Sequence, residues 1–247
     1  MGLAMPESLV ACMCLQAERV SGDFKPQDVA NLVWAAAALD IVAGFVPLWT
    51  TAAETARQSS WPEFGPEGEG QLHQFFLAAA QGCSSQERIA LLLLGAPHVR
   101  ELVAQCRAAF VARSRGEASP SRLQAEVAST FRRVLEEDRG GEGLEVLEEQ
   151  VLEEDGGGYS MDMILKGLGG KRRVAVEVDG PSHFVKVAGE GGERRWRENG
   201  STRLKRRLLA GLGWEVLSVP FFEWTVLRGK AAKEAYARRL LQTAGVV

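Results

Sequence analysis

The first half of the chain carries its apolar residues at helical spacing. After Pro26, residues at helical spacing are apolar except Asp40, which breaks the stripe, and this pattern predicts a helix. Similar patterns predict helices over residues 47–58, 71–81, 86–95 and 98–114, and a loop rich in Gly and Pro over 61–70. Short helices with small-residue faces favour stacked helical pairs, so we predict a solenoid-like helical region over residues 1–135.

One more amphipathic helix is predicted near residue 120. Its apolar stripe consists of Leu123, Val127, Phe131 and Val134. Two starting points fit the capping rules. Either Ser119 is the cap and Pro120 takes the first helical position, or Ser121 is the cap with Gln124 as its partner.

An acidic segment follows this helix. Between residues 136 and 155 there are ten Asp and Glu residues against a single Arg, and Gly residues occupy 156–158. We interpret residues 136–157 as an acidic, Gly-rich linker that ends in a hinge.

After the acidic segment the period of the pattern changes from helical to alternating. Residues 160–165 and 173–179 read as strands, with Gly169 and Gly170 at the centre of a hairpin. A helix over 201–211, a strand over 214–219 and a final helix over 230–242 complete the chain. Because a strand, a helix and a strand in succession imply a crossover, we predict a mixed sheet flanked by helices in a domain spanning 158–247.

Two carboxylates share one face of the second predicted strand. Alternation places Glu177 and Asp179 on the face opposite to the valines. If the hairpin turns at Gly169 and Gly170, Asp162 lies opposite Glu177 with Cβ atoms about 5 Å apart. Like charges in that position destabilise a sheet, so a divalent metal, a nearby Lys or Arg, or a raised carboxylate pKa must compensate.

This spacing of acids is typical of a metal-dependent nuclease sheet. Asp162 and Glu177 would hold Mg²⁺, which activates a water against a phosphodiester. A lysine is expected two residues after the second acid, and Asp179 stands there instead. Lys205 on the following helix could reach back as a substitute, so the sequence leaves two alternatives: an active nuclease, or a degenerate nuclease sheet used for binding.

His183 follows the Gly-Pro turn at the end of the acidic strand. It is either a metal ligand or proton shuttle, or a side chain that fixes the turn by a hydrogen bond. The sequence leaves both readings open. The same holds for Trp214, Phe221, Phe222 and Trp224, which either stack on bases or belong to the core.

Charge is distributed unevenly in a chain whose net charge is −3. Between residues 171 and 207, eleven Lys and Arg residues oppose five acids, which indicates a polyanionic partner; the alternative is a solvated basic face. The predicted phosphate contacts lie at the hairpin tip and on the helix: Lys171, Arg172, Arg173, Arg203, Lys205, Arg206 and Arg207. Binding of this kind requires no cofactor, whereas catalysis would require Mg²⁺.

Other classes of protein find no support in the chain. No run of eighteen apolar residues is present, so no membrane span is expected. The four cysteines lack the paired spacing of a zinc site. The first residues show no amphipathic presequence; either no address is needed here, or the chain is the tail of a longer one.

Four segments together resemble a RAP domain, a module abundant in apicomplexan RNA-binding proteins. They lie within residues 158–226 and comprise Asp162–Leu165, Val176–Phe184, Thr202–Leu209 and Gly213–Trp224. The resemblance implies a fold like that of the very-short-patch-repair endonucleases, with a PD-(D/E)XK-like site. Asp162, Glu177 and Asp179 would then lie at the active-site edge of the sheet, with His183 and Lys205 beside it.

The resemblance also implies a role in organellar RNA metabolism, in mitochondria or chloroplasts. Residues 26–39 are similar to the helical repeats of octotricopeptide-repeat and FAST-kinase-domain proteins. Three hypotheses follow. The first is RNA binding without turnover, the second is a Mg²⁺-dependent endoribonuclease, and the third is an assembly protein whose helical part binds other proteins.

Overall fold

The chain divides into two compact units, Met1–Arg113 and Ser114–Val247. The computed structural model describes residues 6–20, 23–45, 64–82, 97–116, 121–139, 144–153, 157–167, 172–189 and 193–247. Helices make up the described part of the first unit, and a mixed sheet flanked by helices makes up the second. The predicted fold class is therefore confirmed.

The first unit contains four described α-helices: α1 (Glu7–Val20), α2 (Pro26–Leu39), α3 (Gly65–Gly82) and α4 (Pro97–Gly116). Helix α2 starts where Pro26 was expected to start it, because the Asp28 carboxylate accepts a hydrogen bond from the Lys25 N–H at 2.9 Å. It ends at Asp40, whose φ is 63°. The helices predicted over 47–58 and 86–95 lie outside the described residues, and the solenoid arrangement stays a prediction.

The loop predicted over residues 61–70 is wrong for its second half, because α3 begins at Gly65. The glycines here serve close packing. A Cβ at Gly68 would lie 3.2 Å from Gln27 Oε1, and one at Gly70 would lie 2.7 Å from Arg113 Nη2. A short Gly-rich segment therefore reads as a breaker in the sequence although the helix needs its small faces.

The second unit opens with α5 (Arg122–Arg139). The Gln124 N–H donates to Ser121 Oγ at 3.2 Å, while the Ser121 N–H donates to the Gln124 side chain. This reciprocal pair is a capping box, so Ser121 is the cap.

The remaining elements of this unit form two sheets and three helices. In chain order they are β1 (Glu145–Leu152), β2 (Tyr159–Lys166), β3 (Arg173–Asp179), β4 (Phe184–Ala188), β5 (Arg194–Glu198), α6 (Gly200–Gly211), β6 (Trp214–Pro220), α7 (Phe221–Trp224) and α8 (Gly229–Thr243). The main sheet has the order β1-β2-β3-β6, with only the β3–β6 pair parallel. Strands β4 and β5 form a separate two-stranded sheet.

The predicted register of the β2–β3 hairpin is confirmed. Met163 pairs with Val176 and Leu165 pairs with Val174, so paired residue numbers have the predicted sum. The hairpin turn itself, at residues 168–171, lies outside the described residues. In this register Asp162 lies opposite Glu177, one position beyond the last pair of the ladder, Met163 with Val176.

The acidic segment is more ordered than a linker. Helix α5 extends to Arg139, and β1 occupies residues 145–152 as the edge strand of the main sheet. At the predicted hinge, Gly157 and Gly158 adopt φ values of 62° and 84°, and the Gly158 N–H donates to the Leu152 carbonyl at 2.8 Å. The boundary expected near residue 135 also differs from the division between the units at Arg113 and Ser114, because α5 packs on the sheet.

Helices cover the two faces of the main sheet. The valine face of β3 packs against α5 and α8 in one core that includes Val127, Phe131, Val176, Tyr236 and Leu241. The opposite face, which carries Glu177 and Asp179, meets α6, whose Leu204 and Leu208 are fully buried. None of the described helices is both long and apolar enough to cross a membrane.

Candidate functional site

Glu177 lies on β3 beneath helix α6. Its side chain is almost completely buried, and Lys205 Nζ of α6 approaches Glu177 Oε2 at 2.5 Å. Burial raises the pKa of Glu177 to about 7 although the Lys205 charge acts in the opposite direction. Glu177 Oε1 is buried without a hydrogen-bond partner among the described residues. The reach of Lys205 back to the acidic strand, expected from the sequence, is therefore present.

Asp162 lies beside Glu177 where the β2–β3 ladder ends. Asp162 Oδ2 accepts a hydrogen bond from the Val178 N–H at 2.6 Å, which continues the ladder through a side chain. Asp162 Oδ1 accepts from Gln124 Nε2 at 2.7 Å. Both carboxylate oxygens are thus already occupied by donors of the same chain.

Glu149 adds a third carboxylate that the sequence analysis missed. Its neighbours in β1 pair with Met161 and Met163, so Glu149 is level with Asp162. Its φ is 50°, unusual for a residue with a side chain in a strand. Burial, and then the Asp162 charge, raise the pKa of Glu149. Gln124 Nε2 also lies 3.3 Å from Glu149 Oε1 and so bridges the two acids.

The reason for the omission is the composition of β1. Its sequence EVLEEQVL has no clean alternation, and the surrounding acids made it read as a linker. The remaining signal was the recurrence of Val and Leu within the acidic run. Gln124 was identified from its spacing to Ser121, but that spacing predicts only a cap.

Asp179 belongs to a second cluster on the same face. Its Oδ1 lies 3.2 Å from His183 Nδ1, and its Oδ2 accepts hydrogen bonds from Arg206 and from Ser218 Oγ. Burial acts to raise the pKa of Asp179, but His183, Ser218 and Arg206 outweigh it, so the pKa is lowered. In turn, the hydrogen bond to Asp179 raises the pKa of His183. His183 thus takes the role of a side chain bonded at the turn that follows β3.

These carboxylates do not fit Mg²⁺ as they are arranged. A hard cation requires several free oxygen ligands in one place. Each oxygen of Asp162 already accepts a hydrogen bond from the same chain, and the open oxygen of Glu177 lies on a carboxylate already paired with Lys205. Among the described residues no three acid, His or Cys side chains are grouped to hold a metal ion. Instead, a lysine and a raised pKa supply the charge compensation that the facing acids required.

The predicted phosphate-binding residues occupy different environments. Lys205 and Arg206 point to the sheet and neutralise Glu177 and Asp179. Arg206 also pairs with Glu198. Lys205 and Arg206 lie next to the buried Leu204 on the side of α6 that faces the sheet, whereas phosphate contacts had been expected of both.

The other predicted basic residues lie nearer to the surface. Arg172 is exposed but donates to the Gly245 carbonyl and to Glu215, and Arg173 donates to the Leu212 carbonyl at 3.3 Å. Arg203 is exposed on α6, and Arg207 is half-buried. Lys171 lies outside the described residues.

The sequence left four aromatic residues open between base stacking and a place in the core, and the structure buries two of them. Trp224 is fully buried and Trp214 nearly so, which assigns both to the interior. Phe221 and Phe222 are half-buried and pack with Phe184 and Trp196, and we call these four residues the aromatic cluster.

Comparisons with known proteins agree with this C-terminal arrangement. Residues 176–240 match the family model of the RAP domain. A chloroplastic RAP domain-containing protein of Oryza sativa subsp. japonica is 35% identical over 83 residues, which are 34% of this chain and 11% of that protein. The chain therefore corresponds to a small part of that relative. No solved structure matches the chain. The C-terminal part of this chain is therefore similar to the RAP domain.

Proposed function

We propose that this protein binds RNA through its RAP domain and acts in organellar RNA metabolism, in transcript processing or stability, ribosomal RNA maturation or translation. The match of residues 176–240 to the RAP domain carries the proposal. The chloroplastic relative supports an organellar location, with the chloroplast or the mitochondrion as the compartment.

The charge of the segment supports the same function. Eleven Lys and Arg residues oppose five acids between residues 171 and 207, and the RAP match covers most of that segment. Arg203 is exposed on α6 and has no carboxylate partner among the described residues. Exposed guanidinium groups of this kind bind phosphate oxygens with two parallel hydrogen bonds.

The contacts of the carboxylates favour binding over cleavage. Asp162 and Glu177 are bonded to groups of their own chain, and Lys205 holds the position in which a cation would be expected. We therefore propose that this face of the sheet stabilises the domain that binds RNA.

A binding and cleavage experiment tests this proposal. Fluorescence anisotropy of a labelled 20-nucleotide oligouridine, titrated with the full chain from 25 to 300 mM KCl, should show binding that weakens with salt, with a slope of about 0.7 per phosphate contact in a plot of log affinity against log salt. A structured chloroplast transcript incubated with Mg²⁺ or Mn²⁺ should stay intact.

Two variants separate the hypotheses. Glu177→Gln removes the buried carboxylate, and Glu193→Gln removes an exposed one in the same domain as a matched control. Cleavage by the wild type that is lost only in Glu177→Gln would replace the binding proposal with the nuclease. Absence of binding at 25 mM KCl would reject both and favour protein assembly through the helical part.

A further inference from the structure

Strands β4 and β5 form a ribbon that stands outside the main sheet. The ribbon spans Phe184–Glu198 and connects the turn after β3 to the start of α6. Its described residues contribute none of the buried side chains of the core between the sheet, α5 and α8. An isolated two-stranded ribbon is marginally stable in water, so contacts elsewhere must hold it in place.

The two faces of the ribbon have different chemistry. Cross-strand partners share a face, and the pairs are Lys186 with Trp196, Val185 with Arg197, and Val187 with Arg195. Trp196 therefore lies on the face opposite to Arg195 and Arg197. Val185 lies on the same face as these two arginines, and its side chain is 46% exposed.

The tryptophan face attaches the ribbon to the domain. Trp196 stacks on Phe222 with ring centres 6.0 Å apart and meets Phe221 edge-on at 5.2 Å. Lys186 Nζ lies 4.6 Å from the centre of the Trp196 ring on a cation–π contact. At the base, Asn199 donates to the Ser182 carbonyl and also caps α6. The aromatic cluster is thus already packed, and the opposite face is left outward.

The arginines of the ribbon differ from six others in the unit. Arg194, Arg195 and Arg197 are all exposed, and within the described residues none of them lies in an ion pair with a carboxylate. In contrast, carboxylate partners are present for Arg115, Arg132, Arg133, Arg172, Arg206 and Arg238. Those six guanidinium groups are neutralised within the chain, whereas Arg195 and Arg197 lie exposed on one face of the ribbon, where an external anion can reach both.

We propose that the outward face of the β4–β5 ribbon is the surface that holds single-stranded RNA. This inference rests on the proposed function and assigns its contact surface. Arg195 and Arg197 lie two positions apart on one face, which separates them by about 7 Å along the strand. They bind successive phosphates. Arg194 pairs with Ala188 and lies on the opposite face of the ribbon, the face of Trp196, so it is not part of this surface.

The valines select a single strand over a duplex. Val185 and Val187 form an apolar strip beside the two arginines. Unstacked bases offer apolar faces to such a strip, whereas duplex bases are stacked against each other. Contacts of this type are tolerant of sequence, so the ribbon supplies affinity and does not choose the RNA.

The test compares three variants of the full chain with the same oligouridine probe and its duplex with oligoadenosine. The double variant Arg195→Gln/Arg197→Gln should lower the salt slope by about 1.4 and weaken binding at least about tenfold at 100 mM KCl. The matched control Arg100→Gln/Arg228→Gln removes two exposed arginines elsewhere and should keep the wild-type slope. Arg195→Lys/Arg197→Lys should also keep it, because each charge remains.

Each outcome has one reading. If the wild type does not bind at 25 mM KCl, the proposed function itself fails. If the wild type binds and the glutamine double variant binds equally well, the ribbon assignment fails alone and the ribbon is left for a protein partner. Three other results would overturn the assignment as well. They are an equal loss of affinity in the control variant, equal affinity of the wild type for the duplex, and loss of the salt slope in the lysine variant. The lysine variant tests it even where the glutamine variant does not fold.

Discussion

Glu177 and Asp179 show how neighbouring donors decide the state of a buried carboxyl group. The two side chains lie on the same face of β3 and are buried to nearly the same extent. Three groups donate to Asp179 or hold positive charge beside it, and its pKa is lowered. Glu177 has Lys205 alone, and burial raises its pKa to about 7. The difference comes from the neighbours: Asp179 has His183, Ser218 and Arg206, whereas Glu177 has Lys205 and also faces the negative charges of Asp162 and Asp179.

The raised pKa of Glu177 predicts a pH-dependent stability. Between the unfolded value of 4.5 and the folded value of about 7, the folded protein binds a proton that the unfolded chain releases. The stabilisation from Glu177 is therefore complete below pH 4.5 and is lost as the pH rises through 7. Between pH 5 and 8 the wild type should lose up to about 3 kcal/mol more free energy of unfolding than Glu177→Gln, whose amide does not ionise.

Urea unfolding at each pH measures this difference. Glu193→Gln, which removes an exposed carboxylate, should follow the wild-type curve. Parallel curves for the wild type and Glu177→Gln would show that Glu177 is ionised throughout and that Lys205 outweighs its burial.

At the scale of elements, sequence patterns predicted what depends on local periodicity. The α5 stripe and the β2–β3 register came from spacing alone, because one buried face fixes a strand to within one residue. Strand β1 was missed, because an edge strand with half-buried side chains tolerates acids that hide its alternation. The sequence only partly predicted that Lys205 and Arg206 point to the sheet. Their ion pairs with Glu177 and Asp179 depend on tertiary neighbours, which composition does not show.

The β4–β5 ribbon should open locally when its aromatic attachment is removed. Trp196→Ala deletes the ring that packs on Phe221 and Phe222, whereas Val185→Ala shortens an exposed side chain on the other face. Trp196→Ala should lower the opening free energy of the ribbon amides by about 2 kcal/mol, less than for a fully buried tryptophan because the ring is half-buried. Amides of β3 and β6 should keep their protection.

Hydrogen exchange followed by mass spectrometry resolves the two regions. In Val185→Ala the ribbon should exchange at nearly the wild-type rate. A uniform loss of protection over β3, β5 and β6 in Trp196→Ala would show that the ribbon unfolds only with the main sheet.

At the scale of the whole molecule, each unit has a core of its own. The buried cluster of the sheet, α5 and α8 is drawn from Val127 to Val246, and a separate cluster of the first unit is drawn from Cys14 to Phe45. Because α5 supplies Val127, Phe131 and Val134 to the first of these clusters, the unit that folds around the RAP match starts well before residue 158. Local composition placed that boundary too late, since the acidic run looks like a break although the chain on both sides belongs to one core.

The position of this boundary is open to a direct test with fragments. A fragment of residues 118–247 contains the complete α5 and its Ser121 cap, and it loses the exposed pair of Arg115 with Glu153, which is worth less than about 1 kcal/mol. It should unfold cooperatively and bind oligouridine with the salt slope of the full chain. The shorter fragment 158–247 lacks α5 and β1, which leaves the valine face of β3 covered by α8 alone, and it should not fold. Circular dichroism melts and anisotropy titrations check both expectations.

Cooperative folding of the shorter fragment would mean that α5 is dispensable to the core. A reduced salt slope in the longer fragment would mean that the first unit supplies phosphate contacts.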